Sequence, residues 1–297
     1  MTIPRRQRRL RGRHALVDGI AFDMPVNSQH SPALMAAFTV DADRAAELLP
    51  GGEVHPVRLP RNRGVLLITV IDYRTTDIGK YVEFSVALAC TRGARPAPML
   101  LPGLFRRLFG TGQFVLDLPV SSEVSVKGGK GIWGMPKHQA NLDFVITDEV
   151  VSSQYDKDGL LAVKIEIDRP RMARLPVSLG AVNYCAFRGM LMKSSIYFKG
   201  ALDVAFGPQA SARLYLGDHP RADPLRRLDV SSRPLFTAFL EDSQGVLDDH
   251  YEGWFLTYDQ PPVERPEGLE AVVDLGLGQE WLDPPKASVT ASQEAGR

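Results

Sequence analysis

The stretch Gly128 to Gln139, GGKGIWGMPKHQ, sets one lysine among residues that solvate it poorly. Lys137 follows Trp133, Met135 and Pro136 and precedes an alternating run, Gln139-Ala140-Asn141-Leu142-Asp143-Phe144, that predicts a strand over Gln139–Thr147. Arginine supplies most of the positive charge of the chain, so an ammonium beside Trp, Met and Pro is not general surface decoration. An ammonium in apolar surroundings loses hydration, which favours the neutral amine. A neutral amine attacks carbonyl carbon and condenses to a Schiff base. The same pattern also fits a lysine whose stem lies on Trp133 while its head reaches water. Spacing leaves both open.

The elements around this lysine read as strands. Short alternating or β-branched runs occur at Gly19–Val26, Leu34–Val40, Val65–Arg74, Tyr81–Thr91, Phe114–Val120, Val150–Asp156 and Leu161–Asp168, and again at Ser194–Phe206, Ala212–Leu216, Leu228–Phe239 and His250–Leu256. Asp156-Lys157-Asp158-Gly159 is a hairpin connection. Helix signals are few: Asp41 to Leu49, with Asp41 as N-cap and Pro50 as its stop, and a short apolar candidate at Leu101–Phe109. The predicted class is therefore mainly β (α+β), a barrel or packed antiparallel sheets with a few short helices. The 297 residues divide into a basic, disordered leader at 1–14, one domain at 15–258, and a Pro-rich extension and disordered tail at 259–297.

Other chemistries fit poorly. Gly129 to Gly134 has GxGxxG spacing, but a dinucleotide loop must open a helix and Pro136 follows at once; the glycines better suit close approach of backbone to a pocket. The six histidines are scattered without metal-ligand spacing, so no metal and no cofactor is expected. Cys90 and Cys185 stand alone in apolar segments, as buried free thiols do. A formal net charge of zero argues against nucleic acid as partner, and no apolar run approaches the ~20 residues of a membrane helix. The N-terminal arginines lack the apolar core of a signal, so a cytoplasmic location is expected.

The segment running into Pro136-Lys137 resembles the active-site stretch of the acetoacetate decarboxylase family, in which an aromatic segment leads into Pro-Lys. Lys80 to Ser85 (KYVEFS) is similar to the family segment whose glutamate faces the reactive lysine. Phe38 to Pro50 and Phe198 to Leu240 resemble its early strand and helix and its C-terminal strands. The resemblance implies that Lys137 forms the Schiff base, that Glu83 moves protons or pairs with Lys80 or Lys137, that the fold is the family's β-barrel, and that the chain is a homo-oligomer acting on a small carbonyl or 3-oxo acid.

Trp133 and Met135 would supply apolar wall. His138, where the decarboxylase proper has a second lysine, would add local charge or leave on the opposite strand face. Three family features differ: no acid stands near Ile68, no arginine lies around Gln29 to Ser31, and residues around Pro96 to Gly110 are extra. Leu100 to Phe109 suits a pocket lid better than a partner-binding or membrane-surface helix. Phe105 would then touch the substrate, and a longer or aromatic 3-oxo compound would outcompete acetoacetate. The implied reaction is decarboxylation of a 3-oxo acid; aldol or dehydration chemistry through the same lysine, or plain ligand binding, are the alternatives.

Overall fold

The computed structural model describes residues 11–17, 20–247 and 250–264. Most of the expected leader and tail, residues 1–10 and 265–297, lies outside the described residues. Seven strands carry the fold: β1 (Ala33–Asp41), β2 (Arg63–Tyr73), β3 (Tyr81–Arg92), β4 (Gly112–Val120), β5 (Ala173–Phe187), β6 (Met190–Phe206) and β7 (Pro234–Leu247). Each pairs with the next, and β7 returns to β1, so the sheet closes into a barrel. Every pairing is antiparallel except β4 with β5, which run parallel and share only Gln113↔Asn183 and Phe114↔Tyr184. A parallel pair needs a crossover. Here the crossover holds a helix and most of a second sheet.

Alternation along the strands separates two cores. Leu66, Ile68 and Val70 of β2 and Phe84, Val86 and Leu88 of β3 share a buried cluster with Val151, Tyr155, Val163, Ile165 and Ile167 of the second sheet. That sheet contains Asn141–Leu142, Val145–Ile146, Val150–Lys157, Leu160–Asp168 and Ala212–Leu216, all antiparallel. It covers the outside of the barrel, with the Phe84 and Tyr155 rings meeting edge-on at 5.3 Å. The alternate residues Leu67, Thr69, Ile71 and Tyr73 face inward, with Tyr81, Glu83 and Ser85 beside them.

Local signals explain several elements. Asp41 Oδ1 accepts from the backbone N–H groups of Asp43 and Arg44 and opens helix α1 (Ala42–Glu47). Asp158 and Gly159 both have positive φ, as a two-residue hairpin loop with the twist of its strands requires. Helix α2 (Leu101–Leu104) is a single turn, shorter than expected, because Pro102 and Gly103 sit inside it. Helix α3 (Glu123–Trp133) was not foreseen: three glycines within it lower its propensity, and packing overrides them. The expected strand over Gln139–Thr147 breaks into pieces. Lys137–Gln139 runs parallel to Leu118–Val120 of β4, and the chain then crosses into the second sheet. Near the N-terminus Ile20–Met24 pairs with Arg13–Val17, so Arg13 and His14, assigned to the leader, lie in a hairpin. No helix among the described residues is long and apolar enough to cross a membrane.

A bulge in β4, opposite Val86/Ala87, turns Asp117 to the outer face. Asp117 is buried there and gathers three donors: His138 Nε2 at 2.9 Å, Tyr155 Oη at 2.6 Å and Arg221 Nη1 at 2.8 Å. Burial alone would raise its carboxyl pKa. The hydrogen bond and charge of His138, the Tyr155 hydroxyl and the Arg221 charge outweigh burial and hold it below the ordinary aspartate value. A carboxyl lowered on folding stabilises fully above its unfolded pKa of about 3.9, and that share is lost as pH falls through the lower, folded value. Asp117→Asn should therefore lower stability at pH 7 by about 1.5–3 kcal/mol, and the gap to wild type should close on acidification below about pH 4. Urea unfolding at pH 7 and pH 3 measures both; a gap independent of pH would contradict the ionic account.

Candidate active site

Inside the barrel lies a cavity of about 150 Å³. Its wall follows β2 from Leu67 to Tyr73 and β3 from Tyr81 to Ser85, and is completed by β4 to β7 and by α3. At six residue steps of about 3.3 Å, the β2 wall spans roughly 20 Å. Most of the surface is apolar, from Met35, Ile71, Val115, Leu118, Ile196, Phe198 and Leu247 among others.

Lys137 enters from the strand that lies along β4, where the thin β4–β5 junction leaves room. Its side chain is 7% exposed, and its Nζ lies 2.6 Å from Glu83 Oε2, which is 15% exposed. Nζ also donates to Ser125 Oγ at 3.0 Å and stands 5.2 Å from the centroid of the Tyr81 ring. Ser125, fully buried on α3, also hydrogen-bonds Tyr81. Burial first, then the Glu83 charge, push the Tyr81 and Tyr73 phenols well above their ordinary range, although Ser125 opposes this at Tyr81. The two rings stack with centroids 4.6 Å apart. Both are neutral hydroxyls at the Glu83 end of the cavity. A buried amine with a carboxylate at proton-transfer distance, in an apolar chamber, can form a Schiff base with a carbonyl ligand.

The glycine-rich run shapes this site through space rather than through phosphate binding. Gly129, Gly131 and Gly134 fall at the C-terminal end of α3, which presents carbonyls rather than the N–H groups a phosphate needs. Gly134 closes the helix in the left-handed conformation. A Cβ at Gly129 would stand 2.3 Å from Lys137 Cδ. The lysine stem occupies the place where residue 129 would carry its side chain.

Four of the expected site residues converge: Lys137, Glu83, Trp133 and Met135 all line the cavity. Two do not. His138 leaves on the opposite strand face and binds Asp117, as alternation from Lys137 requires. Phe105 is 54% exposed and, with the rest of Leu100 to Phe109, is absent from the cavity wall; the segment forms part of the β3–β4 connection, tied at its ends by Arg92 N–H to the Phe109 carbonyl and Thr111 N–H to the Arg106 carbonyl. In this structure the segment is one helical turn containing Pro102 and Gly103, and it contributes no residue to the cavity wall. Ile68 faces the outer core; the inward-facing β2 residues are Thr69, across from Ser85, and Ile71, across from Glu83. Among the described residues, no arginine lines the cavity. Cys90 and Cys185 are free and buried, and burial raises the Cys185 thiol pKa to about 12.

The acetoacetate decarboxylase family model matches residues 13–183, more than half of the chain and the part that holds Glu83, Ser125 and Lys137. The chain belongs to the acetoacetate decarboxylase family. Solved structures agree at the level of fold. An acetoacetate decarboxylase from Legionella pneumophila subsp. pneumophila str. Philadelphia 1 superposes with a TM-score of 0.57 at 13% identity, covering 77% of this chain and 87% of that one. The enduracididine biosynthesis enzyme MppR complexed with pyruvate superposes at 0.55 with 15% identity, covering 77% and 90%. No curated protein sequence matches the chain. Within this acetoacetate decarboxylase fold, sequence reasoning missed Ser125, Tyr81, Gln113 and Asn183. Ser125 was hidden because α3 was not recognised, and Asn183 because β5 carries Pro176 and Gly180 and a mostly half-exposed pattern.

Gly129→Ala separates the site from the fold. Alanine raises helix propensity by about 1 kcal/mol, but its methyl needs the space of Lys137 Cδ. Thermal stability should stay near wild type, while the rate of reductive alkylation of Lys137 changes at least tenfold by peptide mass analysis, since a displacement of about 1 Å is enough to disturb such geometry. Unchanged Lys137 reactivity would show that the close approach does not set the lysine.

Proposed function

We propose that this protein is a Schiff-base-forming lyase that decarboxylates a 3-oxo acid through Lys137. The observation that carries the reading is the Lys137 amine held 2.6 Å from Glu83 within the apolar barrel interior. Proton transfer from the ammonium to Glu83 yields a neutral amine and a neutral acid, which removes the charge separation that an apolar chamber disfavours. The amine adds to the 3-oxo carbon. Glu83 returns its proton to the carbinolamine oxygen, and water leaves to give the iminium. The bond between C2 and the carboxyl carbon then breaks. Its electron pair moves into the iminium to form an enamine, and carbon dioxide departs. Protonation of the enamine carbon and addition of water release the ketone and regenerate the amine.

The carboxylate of the substrate needs no arginine under this scheme. Near the iminium it meets one positive charge, and apolar walls favour its loss as neutral carbon dioxide. The same absence of arginine supports a second reading, in which the enamine attacks an aldehyde and no carboxylate is lost. The two share every step to the iminium and differ in whether carbon dioxide appears.

Borohydride added during turnover with a 3-oxo acid should fix the ligand on the peptide containing Lys137. Lys137→Arg, which keeps the charge but supplies no neutral amine, should abolish labelling. Labelling that persists in the arginine variant would overturn the assignment. Glu83→Gln should lower kcat by roughly 10²–10⁴-fold. Carbon dioxide release that parallels labelling supports decarboxylation, whereas labelling without it selects carbon–carbon bond formation or dehydration.

A further inference from the structure

The cavity has a second polar pole, away from the lysine. Gln113 and Asn183 are the paired residues of the short β4–β5 junction, and Gln113 Nε2 donates to Asn183 Oδ1 at 2.7 Å. Both line the cavity, as does Ser194, the partner of Asn183 on β6. Gln113 stands five residues before Leu118, the partner of Lys137. That is a rise of roughly 15 Å along the strand. Val115, Leu67 and Ile196 wall the interval.

An amide pair carries no net charge. Its internal hydrogen bond uses one N–H of Gln113 and one lone pair of Asn183, which leaves the Gln113 carbonyl and the Asn183 amino group with capacity to bind. A carboxylate at this pole would be desolvated without a cation, because the charged residues of the wall, Lys137 and Glu83, already pair with each other elsewhere in the cavity. A methyl group would shield the amides from water and satisfy neither. A hydroxyl or carboxamide can donate and accept at once.

We propose that Gln113 and Asn183 form a subsite for an uncharged hydrogen-bonding group at the tail of the substrate that reacts at Lys137. The substrate class is then a 3-oxo acid with an apolar body and a neutral polar tail, neither a dicarboxylate nor a plain acyl chain. This inference rests on the Schiff-base reading given above. If the amide pair serves only to staple β4 to β5, its loss lowers stability and affects all substrates alike.

Three 3-oxo acids of equal length, ending in methyl, carboxamide or carboxylate, distinguish these roles by kcat/KM, with calorimetric Kd for their unreactive 3-hydroxy counterparts. Wild type should prefer carboxamide over methyl by about tenfold or more, with carboxylate poorest. In Gln113→Leu and in Asn183→Leu the carboxamide-to-methyl ratio should fall to one or below. A wild-type ratio near one, a preference for carboxylate, or a ratio that survives in a folded variant overturns the subsite. If one variant does not fold, the wild-type ratio and the other variant decide. Failure of the Schiff-base reading has a different signature: no acid gives a borohydride adduct at Lys137, while the Kd series still reads the tail.

Discussion

An ion pair inside a barrel sets the terms for the rest of this structure. Desolvating an ammonium and a carboxylate costs several kcal/mol per ion, and only close pairing with further hydrogen bonds offsets it. Lys137 and Glu83 meet at 2.6 Å, and Ser125 accepts a further N–H. Three elements are committed to that contact: β3 offers the carboxylate, α3 the hydroxyl, and the short strand along β4 the amine. The pair is therefore a poor source of stability. Removing either charge strands the other in an apolar chamber.

The barrel accommodates the lysine because its one parallel junction is thin. Elsewhere the strands pair over long antiparallel runs, but β4 and β5 share two residue pairs. The crossover that parallel strands require is spent on α3 and the lysine strand before the chain builds the outer sheet. One bulge in β4 then sets the phase. It directs Asp117 outward to His138, while Leu118 and Lys137 face the cavity. The adjacent residues Lys137 and His138 thus serve opposite sides of one sheet, the first lining the cavity and the second binding Asp117 of β4 and meeting the Tyr155 ring of the outer sheet edge-on.

Much of this was legible from residue types. Lys137 in its apolar setting, Trp133 and Met135 beside it, Glu83 within an alternating strand, and a mainly β barrel all follow from pattern and resemblance. The rest depended on facts that pattern does not carry. Three glycines concealed α3 because helix propensity is local, whereas the need for space at Gly129 arises from a residue eight positions later. Pro176 is tolerated in β5 because that half of the strand pairs on one side only, a circumstance invisible before the topology is known. Leu100 to Phe109 is apolar in composition yet largely exposed, so hydrophobicity alone does not bring Phe105 to the cavity wall. The inward position on β2 shows the same limit: a shift of one residue, from Ile68 to Thr69, exchanges outer core for cavity.

The empty side-chain position at Gly129 has a consequence for reading other sequences. Residues 129 and 137 compete for one volume, so they function as a single two-letter word rather than as two letters. A homologue that keeps lysine after proline but carries a larger residue eight positions earlier must send that lysine elsewhere, whatever the motif suggests. The glycine, which has no chemistry of its own, must therefore accompany the lysine wherever the amine is to reach this cavity.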